Sequence, residues 1–325
     1  MNELHLARGL TTESTRKGFG RALLQAGQLD KNVVALCADL TESTNMHLFA
    51  EAFPDRFIEI GVAEQNLVTV GSGLAAIGKI PFVSSYAAFS PGRNWEQIRT
   101  TIALNNQPVK IVGSHAGLYT GADGATHQML EDLIIMRAMP NMVVIAPVDA
   151  FEAAKATLAM ARDPRPNYMR LTREATPVIT TDKTPFQIGR AYVYRSGADI
   201  SLISTGVMTY QAMAAAASLV KDGIRAEVIH VPTIKPIDHH VILTSAEKTR
   251  HIVTIEEGQI NGGLGGAVAE LLGENLPTPL IRVGMNDRFG ESGRPDQLLK
   301  HFGLTPAHIA MAAHRLLMDH SNHKH

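Results

Sequence analysis

Short apolar, β-branched runs recur along the first half of the chain, at residues 33–36, 57–60, 82–85, 109–112, 143–146 and 168–171. Runs of this kind, bounded by turn residues, read as strands buried on both faces. The stretches between them, 15–27, 63–77, 94–104 and 150–161, place apolar side chains at helical period, and several open on a cap-like residue or a proline. Strand and helix in alternation predict an α/β domain built on a parallel sheet. The pattern breaks at 174–189, where residues such as Pro177, Thr180, Asp182 and Pro185 supply linker chemistry. Beyond it the alternation resumes, with strands expected at 200–204, 226–230, 251–256 and 280–283 and helices at 210–221 and 264–272. The pattern therefore predicts two α/β domains, 1–180 and a smaller one at 181–325, with no internal repeat.

A chain of 325 residues lets each domain bury a core of its own. Thirty basic and 31 acidic side chains leave a formal net charge of -1, which gives no attraction to nucleic acid or anionic lipid. The single cysteine, Cys37, rules out an intrachain disulfide, and its apolar setting reads as core. Residues 1–12 lack the apolar centre of a signal peptide, and no run is long and apolar enough to span a bilayer, so a cytoplasmic location is expected. The histidine-bearing stretch 314–325 fits no closed metal site and reads as a solvated tail. The glycine-rich loop 261–266 opens a helix and could seat an anion on its amides. It lacks dinucleotide spacing and a Walker lysine, and close packing of helix on sheet explains the glycines as well.

One segment carries more. Ile58-Glu59-Ile60-Gly61-Val62-Ala63-Glu64-Gln65-Asn66 runs a strand into a helix and places a carboxylate in the first helical turn. Alone, such a glutamate is ordinarily a cap or a partner of the helix dipole. Gly61 to Asn66, followed by Gly73-Leu74-Ala75 and Tyr86-Ala87-Ala88-Phe89, resembles the pyrimidine-binding domain of transketolases and 1-deoxyxylulose-5-phosphate synthases. The stretch Gly121-Ala122-Asp123-Gly124-Ala125-Thr126-His127-Gln128 resembles a second signature of those enzymes. The resemblance continues, more loosely, to cover nearly the whole chain.

The resemblance implies a pyrimidine-type thiamine-diphosphate-binding domain with a parallel sheet, followed by a smaller transketolase C-terminal-type α/β domain. In that family the carboxyl at the position of Glu64 bonds N1′ of the cofactor's aminopyrimidine, favouring the tautomer whose exocyclic nitrogen takes the thiazolium C2 proton. The acid must then hold a proton near neutrality. A helix N-terminus favours the anion by about 0.3–1 kcal/mol, whereas full desolvation favours the neutral acid by roughly 4–7 kcal/mol. Burial is expected to prevail once the cofactor seals the pocket. Tyr86 and Phe89, three apart, suit packing on a flat heteroaromatic ring, and by resemblance they line the pyrimidine pocket. Asp39 falls at the expected subunit contact near the cofactor, although a strand-end cap is an equal reading.

Asp123 and His127 suit a polyol, since a carboxylate accepts from hydroxyls and an imidazole donates or accepts. The matching family residues contact the sugar's hydroxyls and carbonyl oxygen, which makes Glu64 and His127 the expected catalytic pair. A phosphorylated substrate needs fixed positive donors, and arginine's planar fork serves best. Arg16, Ser43, His115 and Arg173 fall where transketolases bind the sugar phosphate.

Enzymes of this family hold the cofactor's diphosphate through Mg2+ or a similar divalent ion, in a Gly-Asp-Gly motif with a distant asparagine, on a preceding domain not found in this sequence. The one similar triplet, Ala122-Asp123-Gly124, belongs to the substrate signature, so no metal ligands are expected here. The resemblance thus implies a partner subunit carrying the diphosphate and metal site, an α2β2 assembly, and a chain inactive alone. The expected reaction belongs to carbohydrate metabolism of the pentose phosphate type: a two-carbon glycolaldehyde unit moves from a ketose phosphate to an aldose phosphate. Half of a deoxyxylulose-phosphate synthase is the nearest rival, and pyruvate against xylulose phosphate as donor separates the two. A 2-oxo acid dehydrogenase β subunit shares the glutamate but would not be expected to carry Asp123 to His127 or the phosphate set. A non-catalytic regulatory subunit is the remaining reading, opposed by intact Glu64, Asp123, His127 and Arg173.

Overall fold

The computed structural model describes Leu4 and residues 10–321, and in it the apolar runs become strands of two sheets. The larger sheet has the order Thr233–Lys235, Val143–Ile145, Asn167–Arg170, Lys110–Ser114, Ile80–Tyr86, Val33–Cys37, Phe57–Glu59. Its neighbours run parallel except the edge strand Thr233–Lys235, which comes from the second half of the chain and pairs antiparallel with Val143–Ile145. Successive side chains of a strand point to opposite faces. Val33, Ala35 and Cys37 accordingly pack with Phe19, Leu23 and Ala153 on one face. Val34 and Leu36 pack with Leu67, Val68 and Ile102 on the other. Because helices cover both faces, the run needs no polar alternation, and Val33–Cys37 is buried throughout. On the first face Thr15–Leu29 crosses Ala150–Arg162 closely: a β-carbon on Gly18 would lie 1.9 Å from the Ala150 carbonyl oxygen.

The second sheet has the order Leu280–Met285, Ile252–Gln259, Ile200–Ser204, Ala226–His230, Tyr192–Arg195, parallel but for the last strand. Buried polar contacts tie it to the first. His230 Nε2 lies 2.7 Å from Glu152 Oε2, with both side chains buried. The Asp149 carboxylate caps Ala150–Arg162 through the Glu152 N–H and accepts from the N–H groups of Ile179 and Thr180 as well. The segment read as linker is thereby fastened at its centre.

Three expectations need correction. The stretch 94–104 is a short α-turn, Trp95–Gln97, continuing as a π-helix, Ile98–Ala103, closed by Leu104 N–H donating to the Arg99 carbonyl. The wider turn puts Ile98, Ile102 and Ala103 into the core together, a pattern that apolar spacing does not separate from α. Residues 314–321 are not a tail but the end of the helix Pro306–Ser321, and His314 Nε2 reaches Asp222 at 3.1 Å; residues 322–325, like most of 1–12, lie outside the described residues. The amides opening Leu264–Asn275 hold the chain's own anion: the buried Glu256 carboxylate accepts from the N–H groups of Leu264 and Gly265, both at 2.8 Å. Among the described residues no helix is long and apolar enough to cross a membrane.

Candidate functional site

Parallel strands deliver their carboxyl ends to one edge of a sheet, where open α/β folds bind ligands. The residues singled out in the sequence follow such ends. Asp39 lies just beyond Val33–Cys37, Glu64 beyond Phe57–Glu59, Tyr86 closes Ile80–Tyr86, His115 follows Lys110–Ser114, and Arg173 follows Asn167–Arg170. Phe57–Glu59 passes into the helix Glu64–Ala76 through Gly61, whose φ of +73° is the left-handed conformation that favours glycine. The Glu59 carboxylate fixes this turn by accepting from the N–H groups of Gly61 and Asp39 and from the Thr41 hydroxyl.

Glu64 is 2% exposed. Its Oε2 accepts from Arg93 Nη1 at 2.7 Å, and the Arg93 guanidinium also lies over the Phe89 ring, 4.8 Å from its centroid. Asn94 donates to the Glu64 carbonyl, locking the loop that carries Arg93 against the helix start. Beside desolvation and the helix dipole, the structure places a guanidinium in direct contact with this carboxyl.

From Phe89 the site continues through rings. Phe89 stacks near Tyr86 at 6.1 Å, and Tyr86 stacks on His115 at 3.8 Å. His127 meets both Tyr86 and Phe89 edge-on, at 6.0 and 5.4 Å. Beyond His115 lie the cations. Arg16 Nε donates to the Arg173 carbonyl at 3.1 Å and Nη1 to the Ser43 carbonyl at 2.6 Å. Arg173 Nη1 donates to Asp123 Oδ1 and to the Thr120 carbonyl, both at 3.2 Å. Burial, then the nearby Arg173, pushes Arg16 below the usual arginine range.

The structure thus gathers Glu64, Tyr86, Phe89, His115, His127, Asp123, Arg173, Arg16 and Ser43 into one contiguous surface. Ser43 joins through its backbone. Asp39 stands at the margin, exposed and left-handed at φ +57°, tied by its N–H to Glu59. At His115, burial first, then Arg16 and Arg173, pushes the imidazolium down to about 3, so the ring is neutral near pH 7. It offers a hydrogen-bonding nitrogen rather than a charge. Arg93 and Glu59 were missed by the sequence argument. Arg93 follows the aromatic motif by four residues, which is the one local signal that could have drawn attention to it. Among the described residues no cluster of three or more His, Cys, Asp or Glu could hold a metal ion.

Both halves of the chain are similar to known proteins. Residues 12–178 match the transketolase pyrimidine-binding domain and residues 189–309 the transketolase C-terminal domain. A putative transketolase C-terminal section from Methanocaldococcus jannaschii is 45% identical over 91% of this chain and 93% of its own. The 6-deoxy-6-sulfo-D-fructose transketolase subunit SqwH of a Clostridium species is 42% identical over 90% of this chain and 91% of its own. A solved structure described as a split-gene transketolase, inactive beta4 tetramer, superposes with a TM-score of 0.88 at 42% identity, covering 94% of this chain and 98% of that one. With both domains matched in order and with relatives that are themselves C-terminal sections or subunits, the chain belongs to the transketolase family and corresponds to its C-terminal section.

Proposed function

We propose that this chain is the catalytic C-terminal-section subunit of a two-subunit transketolase that moves a glycolaldehyde unit from a ketose phosphate to an aldose phosphate. The observation that carries the reading is the buried Glu64 carboxylate, facing a flat nitrogen-rich group stacked on Phe89. That group is the chain's own guanidinium, yet planarity, ring stacking and a hydrogen bond with the Glu64 carboxyl are also what an aminopyrimidine offers, its ring nitrogen accepting from the protonated acid. The donor set therefore fits thiamine diphosphate. When bound, the cofactor supplies the carbanion chemistry that breaks and forms the bond beside a carbonyl.

The chain's own residues do the rest. Glu64, itself buried, holds the proton at the pyrimidine ring nitrogen. Phe89 and Tyr86 fix the ring plane. Asp123 and His127 orient the sugar through its hydroxyls and carbonyl oxygen, and Arg16 and Arg173 hold the phosphate, with neutral His115 and the Ser43 segment as hydrogen-bonding partners. The diphosphate and its divalent ion, Mg2+ or similar, belong on a partner subunit in an α2β2 complex, placed in the cytoplasm and in pentose phosphate chemistry. The two domains of this subunit meet near residue 180.

The test is Glu64→Gln in the complex reconstituted with the partner. Turnover of xylulose 5-phosphate with an aldose phosphate should vanish while both subunits still associate. Undiminished turnover would sink the catalytic reading, and turnover of pyruvate in place of the ketose phosphate would replace it with the synthase reading.

A further inference from the structure

The loop bearing Asp123 and His127 is closed by its own backbone bonds, Gly117 N–H to the Met129 carbonyl among them, and is held from outside as well. Residues 117–130 form irregular and tight turns, including the helical stretch Leu118–Asp123, and Gly117, Gly121 and Gly124 all have positive φ. Glycine carries the largest conformational freedom of any residue, so such a loop needs outside contacts to keep one geometry. Some come from its own domain, through Arg170, Arg173 and Glu174; the others come from the region matched to the C-terminal domain.

At the loop's start, Glu257 Oε1 accepts from the Tyr119 N–H at 2.7 Å, and Gly117 must be glycine because a β-carbon there would lie 2.4 Å from the Glu257 carboxyl carbon. At its end, the Gln259 N–H donates to the Leu130 carbonyl at 3.0 Å. In its middle, the buried Gln128 amide donates to the Gly121 carbonyl and to the Glu291 carbonyl, each at 2.9 Å. One side chain thus joins two points of the loop to a turn more than 160 residues away, at a separation of 163. The fit is close from both sides: a β-carbon on Gly290 would fall 1.7 Å from Gln128 Oε1, and one on Gly124 would fall 2.5 Å from Ser292 Oγ.

We propose that Gln128, together with Glu257 and the turn at residues 290–292, positions the substrate loop, so that the C-terminal region governs how Asp123 and His127 meet the sugar. The assignment rests on the function proposed above for those two residues. It gives the C-terminal region a part in substrate recognition through backbone geometry rather than through a side chain in the site. Misplacing catalytic contacts by about 1 Å costs on the order of a hundredfold in rate, so small shifts of this loop should be visible kinetically.

Two variants approach the contact from opposite sides. Gln128→Glu keeps the size but removes both donors and sets a carboxylate against two carbonyls, and Gly290→Ala pushes the amide away. In the reconstituted complex each should lower kcat/KM for xylulose 5-phosphate by roughly 10- to 100-fold, with most of the loss in KM and the thiamine diphosphate Kd unchanged. In the chain alone, amide hydrogen exchange should quicken within residues 117–130, with the protection of the sheet strands retained. Unaltered exchange in that loop, or unaltered kcat/KM in both variants, overturns the proposal. The exchange measurement needs no turnover, so failure of the clamp and failure of the transketolase reading give different results.

Discussion

A buried carboxylate without a partner is costly, and at Glu64 the partner is Arg93. The same guanidinium covers Phe89, so it sits where a pyrimidine would stack. A ligand nitrogen bonding the same carboxylate oxygen displaces it. Arg93→Met should therefore tighten thiamine diphosphate binding several-fold in the isolated chain, read through the fluorescence of Trp95, the only tryptophan and a near neighbour in sequence. Unchanged or weaker binding would show that Arg93 does not compete for the seat. The pairing was illegible in the sequence for a plain reason: its partners are 29 residues apart and meet only because the loop after Ile80–Tyr86 turns back over the helix start. Glu64, Asp123 and His127 were legible because their neighbours form contiguous motifs.

The helix Glu64–Ala76 leaves part of its length unpacked. Gly73 is exposed, and nothing lies within 4 Å of where its β-carbon would be. A glycine in mid-helix costs roughly 0.5–1 kcal/mol against alanine, and no contact within the chain requires it. Val62 and Ile77 at the two ends of the element are 72% and 74% exposed. This face suits close approach by a helix of the partner subunit. Gly73→Leu should leave the chain as stable or slightly more so in thermal melting, while weakening assembly with the partner in sedimentation; assembly at wild-type strength would place the contact elsewhere. Strand positions were easier to read than strand count. Five of the six runs of the first half came through because strands covered on both faces can be largely apolar, whereas Phe57–Glu59, at the sheet edge, is only partly buried. Tyr192–Arg195, with mixed burial, and Thr233–Lys235, three residues long, give no such run.

Over the whole molecule, buried ionisable groups couple stability to pH. Burial pushes Glu257 up from 4.5 to about 7, against Arg170, with Asp132 adding to the rise. The folded state then binds more protons than the unfolded state between those values, so stability falls as pH rises through that window. The span corresponds to on the order of 3 kcal/mol at most. His115, pushed down from 6.5 to about 3, has the opposite sign: the unfolded state takes the proton first, and stability is lost as pH falls through that range. Glu257→Gln should remove the first slope and expose the second. Melting temperatures of the variant should then rise with pH from about 5 to 7 relative to wild type; parallel curves for the two proteins would show that Glu257 is not the group responsible.

The amino-acid sequence by itself determined the alternation of strand and helix and the short motifs of the site, because both are written in neighbouring residues: burial on two faces demands an unbroken apolar run, and a strand–turn–helix needs its glycine and its acid in order. Tertiary structure alone decided which groups at long range meet. It supplied Arg93 to Glu64, neutralised His115 by burying it beside two arginines, filled the amides at the start of Leu264–Asn275 with Glu256, sent Thr233–Lys235 back to the first sheet, and brought Glu257 and Glu291 to the substrate loop. Each depends on side chains or strands brought together by packing of the whole chain, where desolvation and charge act through space rather than along the sequence.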